Sequence, residues 1–198
     1  MFQIRLHGRG GQGVVTAAEL LSVAAFHEGR FAQAFPSFGS ERMGAPVVAF
    51  CRIDDSQIRL REPITDPDAV VIQDATLLHQ IDVFAGLDAG DFLLLNSHHS
   101  IDELGIAELA DRIGRDHICT LPATDIAREC VGRPLPNAAM LGGLAAMTGI
   151  VSLQSVQRAI RERFPAGVGE KNAAAAARAA ELVTSQIERM ADAHAKTN

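Results

Sequence analysis

The stretch HGRGGQGVVTAAELL, residues 7–21, places four glycines (Gly8, Gly10, Gly11, Gly13) within six residues. Before it, Phe2–His7 alternates apolar and polar side chains, the period of a β-strand. After it, Val14–Phe26 is apolar or small on most faces, as in a helix buried on more than one side. A strand that turns through glycines straight into a helix offers bare amides and a helix N-terminus, and both attract anions. Gly8, Gly10 and Gly13 fit G-x-G-x-x-G. Gln12 either binds a ligand or caps the turn, and His7 either donates to a phosphate or is a strand-end histidine bonded to backbone. The dinucleotide fingerprint is incomplete, because the second strand and its end, FAQAFPSFG, carry no acid to hold ribose hydroxyls. No Lys-Ser or Lys-Thr follows, which excludes a Walker loop. Two readings remain: a nucleotide loop, or a tight strand–helix turn that packs against a partner.

Outward from the loop, strands are expected at Phe31–Phe35, Val47–Ile53, Ala69–Ile72, Phe92–Leu95 and His117–Leu121. Asp54-Asp55 reads as a turn into a short partner strand, Gln57–Leu60, which makes an inserted hairpin. Helices are expected from Ala75 to about Phe84, over Asp102–Ile113, and from Thr124 up to Gly132. No strand follows Gly132. Helices are expected from Asn137, over Ser152–Phe164 and over Gly169–Met190, the last with the run NAAAAARAAEL of high helix propensity. The fold class is therefore α/β and Rossmann-like: a largely parallel, doubly wound sheet with an inserted β-hairpin and a helical C-terminal tail. Residues 1–198 read as a single domain. The continuous runs AVVI and FLLL suit central strands buried on both faces.

Hydrophobic residues make up 47% of the chain and charged residues 21%, enough apolar surface for a full core. A net charge of −6 argues against a nucleic-acid surface. No apolar run reaches the roughly 18 residues of a membrane helix and no signal peptide is visible, so a cytoplasmic protein without a membrane partner is expected. Cys51, Cys119 and Cys130 are widely spaced and form no CxxC, so neither a zinc nor an iron–sulfur site is expected here. His98-His99 lacks further ligands at metal spacing. Asp74 and Asn96 fall at expected strand ends, where each either faces a cleft or forms a turn or cap. Phe35 and Phe38 flank Pro36 as core residues or as anchors in a neighbour's pocket.

Three segments, GRGGQGVVTAAELL, AFPSFGSERMGAPV and CRIDD, together resemble the gamma subunit of the 2-oxoacid:ferredoxin oxidoreductases. VIQD, LPATDIA, PNAAMLGGL and EKNAAAAARA extend the resemblance over nearly the whole chain. Met43 stands where that family usually has a second arginine. If that arginine pairs with a partner's acid, the pairing here is absent or replaced by an apolar contact.

The resemblance implies a subunit of a complex that oxidatively decarboxylates a 2-oxoacid to an acyl-CoA and carbon dioxide. That complex uses thiamine diphosphate with Mg2+, [4Fe-4S] clusters and coenzyme A. Alpha, beta and delta-type subunits are the implied partners, with ferredoxin or an NAD-linked subunit as acceptor. Pyruvate, 2-oxoglutarate, branched oxoacids and aryl oxoacids such as phenylglyoxylate all stay open as substrates. No GDG followed by a distant Asn, the thiamine diphosphate signature, is found, so no catalytic residue and no metal site are assigned. The expected role is assembly. Gly8, Gly10, Gly11, Gln12 and Gly13 are the candidate binding loop, and Phe38, Glu41, Arg42 and Met43 the candidate interface. The alternative is a stand-alone NAD-, FAD- or nucleotide-binding protein.

Overall fold

The computed structural model describes residues 1–37 and 43–197. Its strands are β1 (Phe2–Arg9), β2 (Phe31–Pro36), β3 (Pro46–Asp54), β4 (Ala69–Ile72), β5 (Phe92–Asn96) and β6 (Ile118–Leu121). They form one sheet in the order β2-β3-β1-β4-β5-β6. Strands β1, β4, β5 and β6 pair in parallel, while β3 runs antiparallel to both β1 and β2. Helices α1 (Val14–His27), α3 (Ala123–Val131), α4 (Asn137–Thr148), α5 (Leu153–Arg163) and α6 (Ala166–Thr197) contribute to the core on one face. The other face is covered by a 3-10 turn at Ala75–His79, by α2 (Ala107–Ile113) and by loops.

Strand periodicity divides the core. Ile4, Leu6, Cys51, Val71, Leu94 and Leu121 pack against the larger helical layer. Val70, Ile72, Leu93, Leu95 and Ile118 pack against the thinner one. That two-sided burial makes the central strands continuously apolar. The alanines of α6 bring it close to α4: a Cβ on Gly142 would stand 2.0 Å from the carbonyl oxygen of Ala176. The Ala-rich face of α6 is thus intramolecular packing, with Ala173, Ala176 and Ala179 fully buried.

The Rossmann-like class holds, but the hairpin is built differently from the expectation. Gln57–Leu60 forms no strand. The hairpin consists of β2 and β3, and β3 is flanked on both edges, by β1 and by β2. No free edge of β3 remains for a further strand, and Asp54 instead accepts from the Ser56 amide to close a turn. Two expected helices are also shorter. The one after Asp74 is only a 3-10 turn, and α2 begins at Ala107 because Gly105, at φ 70°, interrupts the segment before it.

Candidate functional site

The glycine loop joins the end of β1 to α1, and its positions have distinct reasons to be glycine. Gly13 is the N-cap of α1 in the left-handed region, at φ 75°. A Cβ there would also stand 2.6 Å from Nδ2 of Asn137, the first residue of α4. Gly11 is likewise left-handed, and Met43 lies over it. Gly8 has ordinary dihedrals, but a side chain would strike Val14 of α1 at 2.6 Å. Gly10 joins the loop to the second motif: its amide donates to the Ala45 carbonyl at 2.9 Å, and its carbonyl accepts from the Gly44 amide at 3.0 Å. The first two of the three segments that carry the resemblance are therefore bonded backbone to backbone.

Gln12 caps the turn. Its Oε1 accepts from the Arg9 amide at 2.7 Å, and its Nε2 donates to Asp74 Oδ2 at 2.9 Å. Arg9 also reaches Asp74, through Nε at 3.2 Å, and donates to the Gly44 carbonyl and the Thr76 hydroxyl. Asp74 caps the following 3-10 turn by accepting from the Thr76 amide. Burial pushes the Asp74 carboxyl up, but the hydrogen bonds from Thr76 and Gln12 and the charge of Arg9 outweigh it, so it lies below its ordinary value. Asp74 and Arg9 are thereby a latch that holds the loop.

Two clefts adjoin this latch. One, about 260 Å³, is lined by Arg9, Gly10, Gly11, Gly13 and Val47 beside the first turn of α1. No side chain caps α1, whose first residues, Val14 and Val15, also line that cleft. The other, about 310 Å³, lies at the carboxyl ends of β4, β5 and β6, beside the point where the chain switches sides about β1. Gln73, Asp74, Asn96, Thr124 and Arg128 line it. Asn96 holds the start of α3 by donating to Thr124 Oγ1 and accepting from the Thr124 amide. Gln73 is fully buried, and neither atom of its carboxamide has a partner among the described residues.

Several expected residues lie elsewhere. His7 is on the opposite face of β1 from α1, 4% exposed, and its Nε2 accepts from Arg5 Nε at 3.0 Å rather than bonding backbone. Burial, and secondarily the Arg5 charge, lower its pKa to about 3, so it is neutral. His98 pairs with Asp125 on the surface at 2.5 Å. Among the described residues no group of three or more His, Cys, Asp or Glu could hold a metal. Met43 is 88% exposed at the outer rim of the loop. Phe35 packs on Phe50 at 5.1 Å under the Arg52 guanidinium. Phe38, Glu41 and Arg42 lie outside the described residues. The sequence assigned no role to Arg9 or Gln73 and took Asn137 as the cap of a helix, whereas Pro136 is the N-cap of α4 and Asn137 its first residue. Arg9 stands inside the quoted stretch, and Gln73 ends the buried run AVVIQ, where a polar residue is itself a signal.

The geometry bears on dinucleotide binding. In a dinucleotide fold the second strand lies beside the first and carries the ribose-binding acid. Here β3 lies between them, so Val47 and Pro46 flank Gly8 and Arg9. That place is thus occupied by an apolar strand end, and no acid is among the described residues that line the cleft beside it.

Residues 3–182 match the model of the family described as pyruvate ferredoxin/flavodoxin oxidoreductase. The chain is 51% identical over 176 residues to the pyruvate/ketoisovalerate oxidoreductases common subunit gamma of Thermococcus kodakarensis, covering 89% of this chain and 94% of that one. It is 50% identical over 183 residues to the pyruvate synthase subunit PorC of Methanothermobacter thermautotrophicus, covering 92% and 96%. The crystal structure of the pyruvate oxidoreductase subunit PORC of Thermotoga maritima superposes with a TM-score of 0.77 at 38% identity, covering 91% of this chain and 95% of that one.

Proposed function

Since the chain belongs to the pyruvate ferredoxin/flavodoxin oxidoreductase family, we propose that it is the gamma subunit of a 2-oxoacid:acceptor oxidoreductase complex and that its role there is assembly. The observation that carries this reading is the use of the glycine loop. Gln12 and Arg9 are engaged within the chain, and Gly10 is bonded to the Gly44–Ala45 segment. The loop presents a preformed surface rimmed by exposed Met43. An exposed apolar residue on a rigid backbone suits a protein contact.

Thiamine diphosphate, Mg2+ and [4Fe-4S] clusters belong, on this reading, to the alpha, beta and delta-type partners. The donor set of this chain does not fit a cluster: Cys51 and Cys119 are buried in the core and burial pushes both thiols up to about 12, whereas cluster ligands are thiolates. The chain supplies a wall. The α1 N-terminus and the segment holding Glu41 and Arg42 help to close the region where the 2-oxoacid or coenzyme A gains access, and electrons leave through the partners to ferredoxin or an NAD-linked subunit.

The test is purification of the tagged chain from its native source, followed by assay of what is recovered. Yellow-brown partner chains and 2-oxoacid-dependent acceptor reduction, with the isolated chain inactive, are the expected result. A colourless monomer that gains thermal stability with NAD or FAD would replace this reading with that of a stand-alone dinucleotide binder. A panel of oxoacids on the complex then identifies the substrate.

A further inference from the structure

A cavity of about 580 Å³ lies between the α3–α4 connection and the first turn of α6. Leu135, Phe164 and Val168 give it an apolar wall, and Arg133 and Lys171 line it as well. No carboxylate is among the described residues that line it. Neither cation has a side-chain partner among the described residues. The acid next to Lys171, Glu170, is held by Arg161 at 2.8 Å. The first turns of α4 and α6 both border the cavity, and the positive ends of their helix dipoles add the same sign of charge.

Two largely buried amides stand beside these cations. Asn137 is 6% exposed; its Oδ1 accepts from the Ala138 amide at 3.0 Å, while its Nδ2 has no hydrogen-bond partner among the described residues. Asn172 is 5% exposed; its Nδ2 donates to the Val168 carbonyl at 2.9 Å, and its Oδ1 is left without a donor. Both residues line the cavity. Neither free atom is sealed from solvent, so each can be hydrated, and only Asn137 Nδ2, a donor, suits an anion.

We propose that this cavity binds an organic anion, a carboxylate or phosphate carried on an apolar body. The anionic head lies between Arg133 and Lys171 and accepts from Asn137 Nδ2, and the body rests on Phe164 and Leu135. The volume suits a small-molecule ligand. The proposal needs only this chain and is independent of the subunit assignment.

The experiment uses the full-length chain with the fluorescent apolar anion 1-anilinonaphthalene-8-sulfonate, followed by displacement with hexanoate, hexyl phosphate and hexanol. Saturable binding is expected, displaced by one or both hexyl anions and not by hexanol; the better competitor identifies the head group. Arg133→Met and Lys171→Met, both at exposed positions, each weaken probe binding about tenfold, the loss of one charge-assisted contact. Phe26→Ser, which removes an exposed aromatic elsewhere, leaves it unchanged. Unaltered binding in the Arg133→Met/Lys171→Met double variant, equal displacement by hexanol, no displacement by either anion, or loss of binding in Phe26→Ser overturns the proposal.

Discussion

Gln12 Nε2 and Asp74 Oδ2 meet at 2.9 Å across 62 positions of sequence, while the other end of the same Gln12 amide holds the Arg9 backbone. One carboxylate therefore fixes the glycine turn and the start of the next segment together. Asp74→Ala removes the acceptor of Arg9 and Gln12 and the cap of the 3-10 turn, and should cost about 2–3 kcal/mol. Gln12→Leu should cost about 1–2 kcal/mol, and the double variant less than the sum. Urea denaturation of the four proteins measures this; strict additivity would show that the two side chains do not act as a unit.

Buried His7 makes stability depend on mild acid. Its folded-state pKa is about 3, below the ordinary value near 6.5. Between those values the unfolded chain takes up a proton that the folded chain refuses. The contribution of His7 is therefore complete above about pH 6.5 and declines as pH falls toward 3, by at most about 1.4 kcal/mol per pH unit. The depressed carboxyl of Asp74 acts in the same direction at lower pH, favouring the fold above the ordinary carboxylate range. Urea unfolding of wild type and His7→Gln from pH 7 to pH 4.5 should give a flatter profile for the variant, and parallel profiles would refute the assignment.

Gly11 and Gly13 are both left-handed, yet their substitution should differ in cost. At Gly11 a methyl meets the flexible, exposed Met43 side chain, so Gly11→Ala should cost about 1 kcal/mol of backbone strain. At Gly13 it meets buried Asn137 as well, so Gly13→Ala should cost about 2–4 kcal/mol. Because the loop lies at the proposed contact, subunit co-purification should fall before the fold is lost. Thermal melting and pull-down of both variants decide the order, and an intact, fully active complex with Gly13→Ala contradicts it.

Gly142→Ala tests the helical layer away from the loop. Its methyl would occupy the position of the Ala176 carbonyl, which forces α4 and α6 apart at a cost of about 3 kcal/mol or more. A melting temperature unchanged from wild type would mean that the two helices do not approach this closely. Gly143→Ala, whose nearest neighbours are side chains at 3.1 Å and beyond, should be the milder change.

Much of this architecture is legible locally. The span Ala69–Ile72 and the start of β1 follow from runs of side chains whose burial is decided by period alone. The glycine turn is legible because its residues answer to backbone sterics within a few positions. Ser152 as the cap of α5 is legible for the same reason. The partner of β3 is not, because strand pairing depends on which edge is free, and β3 runs along the whole of β1 from Phe2 to Arg9.

The sequence by itself determined most of the elements, the α/β class and the membership that its motifs mark, since periodicity, glycine sterics and motif spacing are properties of neighbours along the chain. Only the tertiary structure decided what those residues touch. Arg5, a polar position of an alternating strand, is buried beneath the carbonyls of Val83 and Ala85, and Gln12 is claimed by Asp74 rather than left for a ligand. A hydrogen bond is satisfied by whatever donor or acceptor the fold brings within about 3 Å, and that partner is set by the packing of the whole chain.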